Sequence, residues 1–264
     1  MEILRVENLS RVFGGIVAVA DASLSIHEGQ FVGIIGPNGA GKTTLFNCIT
    51  GMYGLSNGNV SLKVEDKFVS IGNLSPSKIA RYGIARTFQN IRLFQEMTVL
   101  DNIKVAMYHQ FPYGVISSFL RVGKFSKNED LIHQRALQWL DEVGLVEKKD
   151  SLASQLSYGD QRRCEIARAL ATNAKMLFLD EPAAGMNEQE TKSLTDFIRY
   201  IHRKYELTIV LIEHDMKLVM SLCDHIVVLD RGICIAQGSP MDIQRNPAVI
   251  AAYLGEEVDE HVSH

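Results

Sequence analysis

The octapeptide Gly36-Pro37-Asn38-Gly39-Ala40-Gly41-Lys42-Thr43 satisfies the pattern G-x-x-x-x-G-K-[ST]. It stands between a short apolar run, Phe31–Ile35, and a helical pattern carrying Leu45, Phe46 and Ile49. A strand, a glycine-rich turn and a helix in that order point to an α/β layer. In such a loop the glycines let backbone N–H groups turn inward around phosphate oxygens, at the positive end of the following helix. Lys42 is then expected to reach the outer phosphates and the Thr43 hydroxyl to hold Mg²⁺, with Thr44 beside it.

The rest of the chain agrees with that layer. Ile3–Val6, Ala18–Ile26, Asn59–Val64 and Lys67–Ile71 read as strands between turn signals such as Gly14-Gly15 and Glu65-Asp66. From about Asn90 to Ala171 the pattern turns helical, and Leu137, Leu140 and Val143 fall at helical spacing beside Trp139. After Lys175, strand-like runs (Met176–Leu179, Thr208–Ile212, His225–Leu229) alternate with helical ones (Thr191–His202, Met216–Cys223), as βαβ units do. Gly36, Asp180 and His214 each fall just past the carboxyl end of an apolar strand, the edge where open α/β sheets bind ligands.

At 264 residues the chain can bury a sizeable core, and its formal net charge of -4 argues against a dominant basic surface for nucleic acid. No apolar run approaches the roughly 18 residues of a membrane span, and the first residues lack a signal-peptide layout, so a cytosolic chain is expected. Cys48, Cys164, Cys223 and Cys234 are scattered, which points to buried reduced thiols. The acidic segment from Gly255 is expected to lack order.

Four elements now stand in sequence: the phosphate loop, Leu156-Ser157-Tyr158-Gly159-Asp160-Gln161, Asp180-Glu181, and Glu213-His214. In this order they resemble the ATP-binding subunit of an ABC transporter. The resemblance implies a P-loop NTPase fold: an ABC ATPase cassette with a mixed, mainly parallel sheet core, an N-terminal antiparallel β subdomain and an inserted helical subdomain at about 90–171. A single ATPase domain would span 1–254, followed by the tail 255–264. The resemblance further implies that Asp180 holds Mg²⁺ through water, and that Glu181 orients or deprotonates the attacking water. Adjacent strand residues point opposite ways, which would separate the two carboxylates. His214 alone would read as structural; in this series it matches the switch histidine that contacts the γ-phosphate. Gln89, after Arg86-Thr87-Phe88, matches the glutamine loop that senses Mg²⁺ or water and signals to the membrane partner. Phe13 matches the aromatic that stacks on adenine.

Ser157-Tyr158-Gly159-Asp160 also fits a helix capping box, which is compatible with a serine that donates to phosphate at a helix N-terminus. In the family, Ser157, Gly159 and Gln161 would contact nucleotide held by a second subunit, in an ATP-sandwich dimer. Departures are visible. Tyr158 and Asp160 replace the glycine and glutamine of the usual Leu-Ser-Gly-Gly-Gln, and Ala184-Gly185-Met186-Asn187 ends in asparagine where many relatives have aspartate. Asp160 near a phosphate would repel it unless it turns back to cap the helix. A module with feeble hydrolysis is the reading these departures leave open.

The blocks Ala85–Phe94, Glu181–Gly185, Ile212–Met220 and Ala252–Gly255 are similar to the larger of the two ATP-binding subunits in branched-chain amino acid uptake systems, the LivG type. Urea-uptake ATPases share much of the pattern. The implied partners are two membrane permease subunits, a second ATP-binding subunit and, indirectly, an extracytoplasmic solute-binding protein. No nucleic acid is expected, since the coiled-coil insertion, zinc cysteines or paired cassettes of DNA-repair and translation relatives are missing from the sequence. The implied location is the cytoplasmic face of the membrane. The apolar stretch Phe111–Leu120 reads either as internal packing or as part of the surface that receives a permease.

Overall fold

The computed structural model describes residues 1–111 and 124–253. The apolar stretch past Phe111 and the tail 255–264 fall outside the described residues. The strands are β1 (Glu2–Phe13), β2 (Ile16–His27), β3 (Phe31–Ile35), β4 (Asn57–Val64), β5 (Lys67–Ser70), β6 (Ile84–Arg86), β7 (Met176–Asp180), β8 (Thr208–Ile212), β9 (His225–Asp230) and β10 (Ile233–Gly238). The helices are α1 (Lys42–Ile49), α2 (Pro76–Arg81), α3 (Val99–Met107), α4 (Lys124–Glu142), α5 (Tyr158–Leu170), α6 (Glu188–Lys204), α7 (Met216–Leu222) and α8 (Pro240–Gln244).

The chain divides into two compact units. Among the described residues, the first comprises Met1–Arg86, Lys175–Glu181 and the chain from Ile198 onward, and holds every strand. One sheet has the order β2-β1-β4-β5 and is antiparallel throughout. The other has the order β10-β9-β3-β8-β7-β6, parallel except for the edge strand β10. Every residue of β3, β7 and β8 is buried, as expected of central parallel strands covered on both faces. A single core joins both sheets to α1: Leu4, Val6 and Leu9 from one sheet, Ile34, Phe178 and Ile212 from the other, and Leu45, Phe46 and Ile49 between. Strand β1 runs well beyond Val6 because it absorbs register shifts near Asn8, which sits at φ 48.

The second unit comprises Thr87–Ala174 and Pro182–Phe197. Its core gathers Val99, Ile103 and Met107 of α3, Ile132, Ala136, Leu140 and Val143 of α4, and Cys164, Ala167 and Ala171 at and after α5. The buried stripe of α4 thus runs through Ile132 and Ala136, and Leu137 only borders it. Asn102 is wholly buried yet satisfied. Its amide accepts from the Phe94 N–H and donates to the carbonyls of Phe94 and Thr98, fixing the chain that enters α3.

Cys48, Cys164 and Cys223 are buried free thiols, whereas Cys234 is only half-buried, on the edge strand β10. Burial pushes Cys48 up to about 11 and Cys164 up to about 12, so neither is a thiolate at neutral pH.

Candidate functional site

The loop between β3 and α1 is built on backbone shapes that only glycine takes easily. Gly36 has φ 148, and a Cβ there would lie 1.9 Å from the Leu229 carbonyl oxygen. Gly41, at φ 96, would place a Cβ 2.5 Å from the Ala18 oxygen. These close approaches press the loop against β9 and β2. The Gly232 N–H donates to the Ala40 carbonyl at 3.0 Å, and the Ala20 N–H donates to the Gly232 carbonyl at 2.8 Å, so the β9–β10 turn pins the loop from the side. Lys42 is 6% exposed, and its Nζ donates to the carbonyls of Gly36 (2.6 Å) and Pro37 (2.8 Å). Helix α1 begins with no side-chain cap and no acidic residue in its first turn. Its first N–H groups and its dipole therefore favour an anion.

A cavity of about 510 Å³ opens over this loop, within the range of ligand sites. Asn38, Gly39, Ala40, Gly41, Lys42, Thr43 and Thr44 form its floor, and Glu181 and His214 stand at its wall. The phosphate-loop residues, Glu181 and His214 are therefore brought together. Glu181 does not owe its position to strand pleating, as the sequence suggested. It leaves β7 in a left-handed conformation, φ 44, with its N–H donating to the Ile212 carbonyl at 2.9 Å. A non-glycine residue held at positive φ is a local strain of the kind that clusters at functional sites. The step carries the Glu181 carboxylate to His214, whose Nε2 lies 2.8 Å from Glu181 Oε1. Only 15% of the Glu181 side chain is exposed, against 47% for His214.

Asp180 is the last residue of β7 and faces a different neighbour. Its carboxylate accepts from Arg86 at 2.6 Å, in an ion pair whose side chains are 8% and 6% exposed. The same guanidinium donates to Asn47 Oδ1 at 2.6 Å and Thr50 Oγ1 at 2.9 Å, both on or just past α1. Arg86 thereby braces the acidic strand against the phosphate-loop helix. It carried no role in the sequence reading, since a lone arginine at a strand end has no motif. Arg231, Gly232, Ile16, Val17 and Ala18 also line the cavity. No signal in the sequence marked the first two: their turn has positive φ at both Arg231 (46) and Gly232 (82), and Arg-Gly is not a dipeptide that announces such a turn. Phe13 is not among the lining residues; its ring lies edge-on to Tyr53 at 5.2 Å, under the Arg11 guanidinium.

The remaining site residues belong to the second unit. Ser157 caps α5, accepting from the Asp160 N–H at 3.3 Å. The Asp160 carboxylate faces back to the Ser157 hydroxyl and is also engaged by Lys148 at 2.6 Å. Burial alone would raise the Asp160 pKa; hydrogen bonds from Lys148 and Ser157 outweigh it and hold the carboxyl below its usual range. Gln161 donates to the Leu156 carbonyl at 3.0 Å, while Ser157 and Tyr158 are exposed at the helix start and Gly159 follows half-buried. Gln89 is exposed, and its backbone carbonyl accepts from Arg162.

Comparison with known proteins places this arrangement. A family model described as ABC transporter matches residues 19–184, and one described as branched-chain amino acid ATP-binding cassette transporter matches residues 234–259. The chain is 46% identical over 254 residues to the high-affinity branched-chain amino acid transport ATP-binding protein LivG of Salmonella typhimurium, covering 96% of this chain and 98% of that protein. It is equally similar, at 46%, to BraF of Pseudomonas aeruginosa, with the same coverage. Among solved structures, the ADP conformation of MJ1267, an ATP-binding cassette of an ABC transporter, matches with a TM-score of 0.81 and 34% identity, over 97% of this chain and 99% of that one.

Proposed function

The chain belongs to the ABC transporter family of ATP-binding, ATP-hydrolysing subunits, and from that premise we propose that it powers an importer of branched-chain amino acids. The observation that carries the ATP chemistry is the cavity in which the phosphate loop meets the Glu181–His214 pair. The similarity to LivG and BraF along nearly the whole chain supports the solute class.

In this reading the loop N–H groups and Lys42 hold the phosphates, with Lys42 exchanging its two carbonyl partners for phosphate oxygens. Glu181, the less exposed of the facing pair, orients and deprotonates the attacking water. His214 Nε2 supports that carboxylate and reaches the terminal phosphate. The hydroxyl of Thr43 and the carboxylate of Asp180 are hard oxygen donors, which fit Mg²⁺, with Gln89 as the family's third contact. When bound, Mg²⁺ neutralises phosphate charge. Asp180 then has Arg86 to fix its orientation. Phe13 offers its ring to the adenine, and Ser157, Gly159 and Gln161 offer the start of α5 to nucleotide held by a second ATP-binding subunit.

The assembly comprises this chain, that second subunit and two permeases on the cytoplasmic face of the membrane, with a solute-binding protein outside. Among the described residues no helix is long and apolar enough to cross a membrane, which is in keeping with a peripheral subunit. Purification from the native membrane in mild detergent, followed by mass spectrometry, tests the assembly. Two permeases and a second ATPase should accompany the chain, and the complex should hydrolyse ATP faster with a leucine-loaded binding protein than with a urea-loaded one. Ribosomal or DNA-repair partners without a permease would overturn the reading.

A further inference from the structure

Arg162 heads the largest side chains wholly withdrawn from solvent, at 0% exposure, and it lies one helical turn into α5. Its Nη1 donates to the Phe88 carbonyl at 2.7 Å and to Glu165 Oε2 at 2.7 Å. Its Nη2 donates to the Gln89 carbonyl at 2.8 Å and to the Tyr158 hydroxyl at 3.3 Å. Glu165, 1% exposed, uses its other oxygen to accept from the Arg92 N–H at 3.1 Å. One buried ion pair thus grips the backbone at Phe88, Gln89 and Arg92.

A buried ion pair is a poor stabiliser, because desolvation consumes much of the Coulomb gain. What it supplies is geometry. The planar guanidinium presents its donors in a fixed fork, so the two carbonyls it holds must keep one path. Tyr158 adds a second end to the clamp. It stands where the usual signature has glycine, is 41% exposed at the start of α5, and turns its hydroxyl inward to Arg162. A single side chain therefore runs from the exposed helix start to the group that holds Gln89.

We propose that Arg162 is a positioning residue for Gln89, and that Tyr158 is the lever by which contact at the exposed start of α5 sets that position. Nucleotide or protein pressed against Ser157 and Tyr158 would shift the hydroxyl, the guanidinium and the glutamine backbone together. The departure at Tyr158 is then a working part of this chain. The inference rests on the family role given to Gln89.

Two variants test it in the full chain and its membrane complex: Arg162→Lys, which keeps the charge and loses the fork, and Tyr158→Phe, which removes one oxygen. Amide exchange across 88–92 should speed up by about tenfold or more in Arg162→Lys, and less in Tyr158→Phe. In the complex, kcat should fall about tenfold in Arg162→Lys while the KM for ATP stays within about twofold, a split that general loosening of the fold would not produce. Parental exchange and parental kcat in a folded Arg162→Lys chain would overturn the proposal. Should that variant fail to fold, parental exchange and kcat in Tyr158→Phe would overturn it instead. Gln89→Ala, run beside them, separates the failures. Parental turnover there removes Gln89 from the reaction and the clamp's purpose with it. Lowered turnover there, with a parental Arg162→Lys, removes only the clamp.

Discussion

Glu181 occupies a conformation that an ordinary side chain avoids, and the strain is maintained by a backbone bond to β8 and the contact with His214. If the carboxylate takes the proton of the attacking water, Glu181→Gln keeps shape and polarity while removing the base. Turnover of this chain's own nucleotide should fall at least about 100-fold, leaving the complex only the neighbouring ATPase's rate, with nucleotide affinity near parental. Phosphate release and fluorescent-nucleotide titration measure the two, and parental turnover would take Glu181 out of its role. Two glycines of the loop should behave differently when a methyl group is added. In Gly36→Ala the new Cβ would collide with the Leu229 carbonyl, a backbone atom that cannot swing aside. A loss of about 2 kcal/mol or more and abolished nucleotide binding are expected. At Gly39, φ 75, a Cβ meets nothing within 4 Å, so Gly39→Ala should cost only the left-handed penalty of about 1 kcal/mol. Thermal melts of the two variants would show the contrast.

At the level of elements, legibility followed burial. Strands β3 and β8 could be bounded from sequence because burial on both faces makes each an unbroken apolar run between polar ends. Strand β1 could be read only to Val6, since the shift near Asn8 breaks the two-residue alternation on which such a reading depends. The phosphate loop, Glu181 and His214 were legible as motifs, and the cavity unites them. Arg86 and Arg231 were not, because each acts through neighbours distant in sequence. The Lys148 partner of the Asp160 carboxylate was not legible either: it lies 12 positions back, and no periodicity announces the pair. That pair makes a prediction at the scale of the helix start. A depressed pKa means that its stabilisation is present above the unfolded aspartate value and is lost as pH falls through the folded one. Lys148 is half exposed, so Asp160→Asn should cost no more than about 1 kcal/mol at pH 7. The difference between parent and variant in urea midpoint should shrink as the pH drops below 3.8, the ordinary value for this carboxyl.

Over the whole molecule, the phosphate loop lies in one compact unit and the start of α5 in the other. In the proposed assembly the first serves this chain's own nucleotide and the second serves its neighbour's. A lesion in one chain would then be read out in the other. In a complex whose own-site chemistry has been silenced by Glu181→Gln, the turnover that remains belongs to the neighbouring ATPase. A further Ser157→Arg change in this chain should cut that residual rate at least about tenfold, although the altered chain was already silent. Phosphate release from the two complexes, single and double variant, makes the comparison, and an unchanged residual rate would deny the exchange. The exposed Ser157 at the head of α5 is, on this view, a component lent out: damage there leaves this chain's own nucleotide site whole and disables its neighbour's.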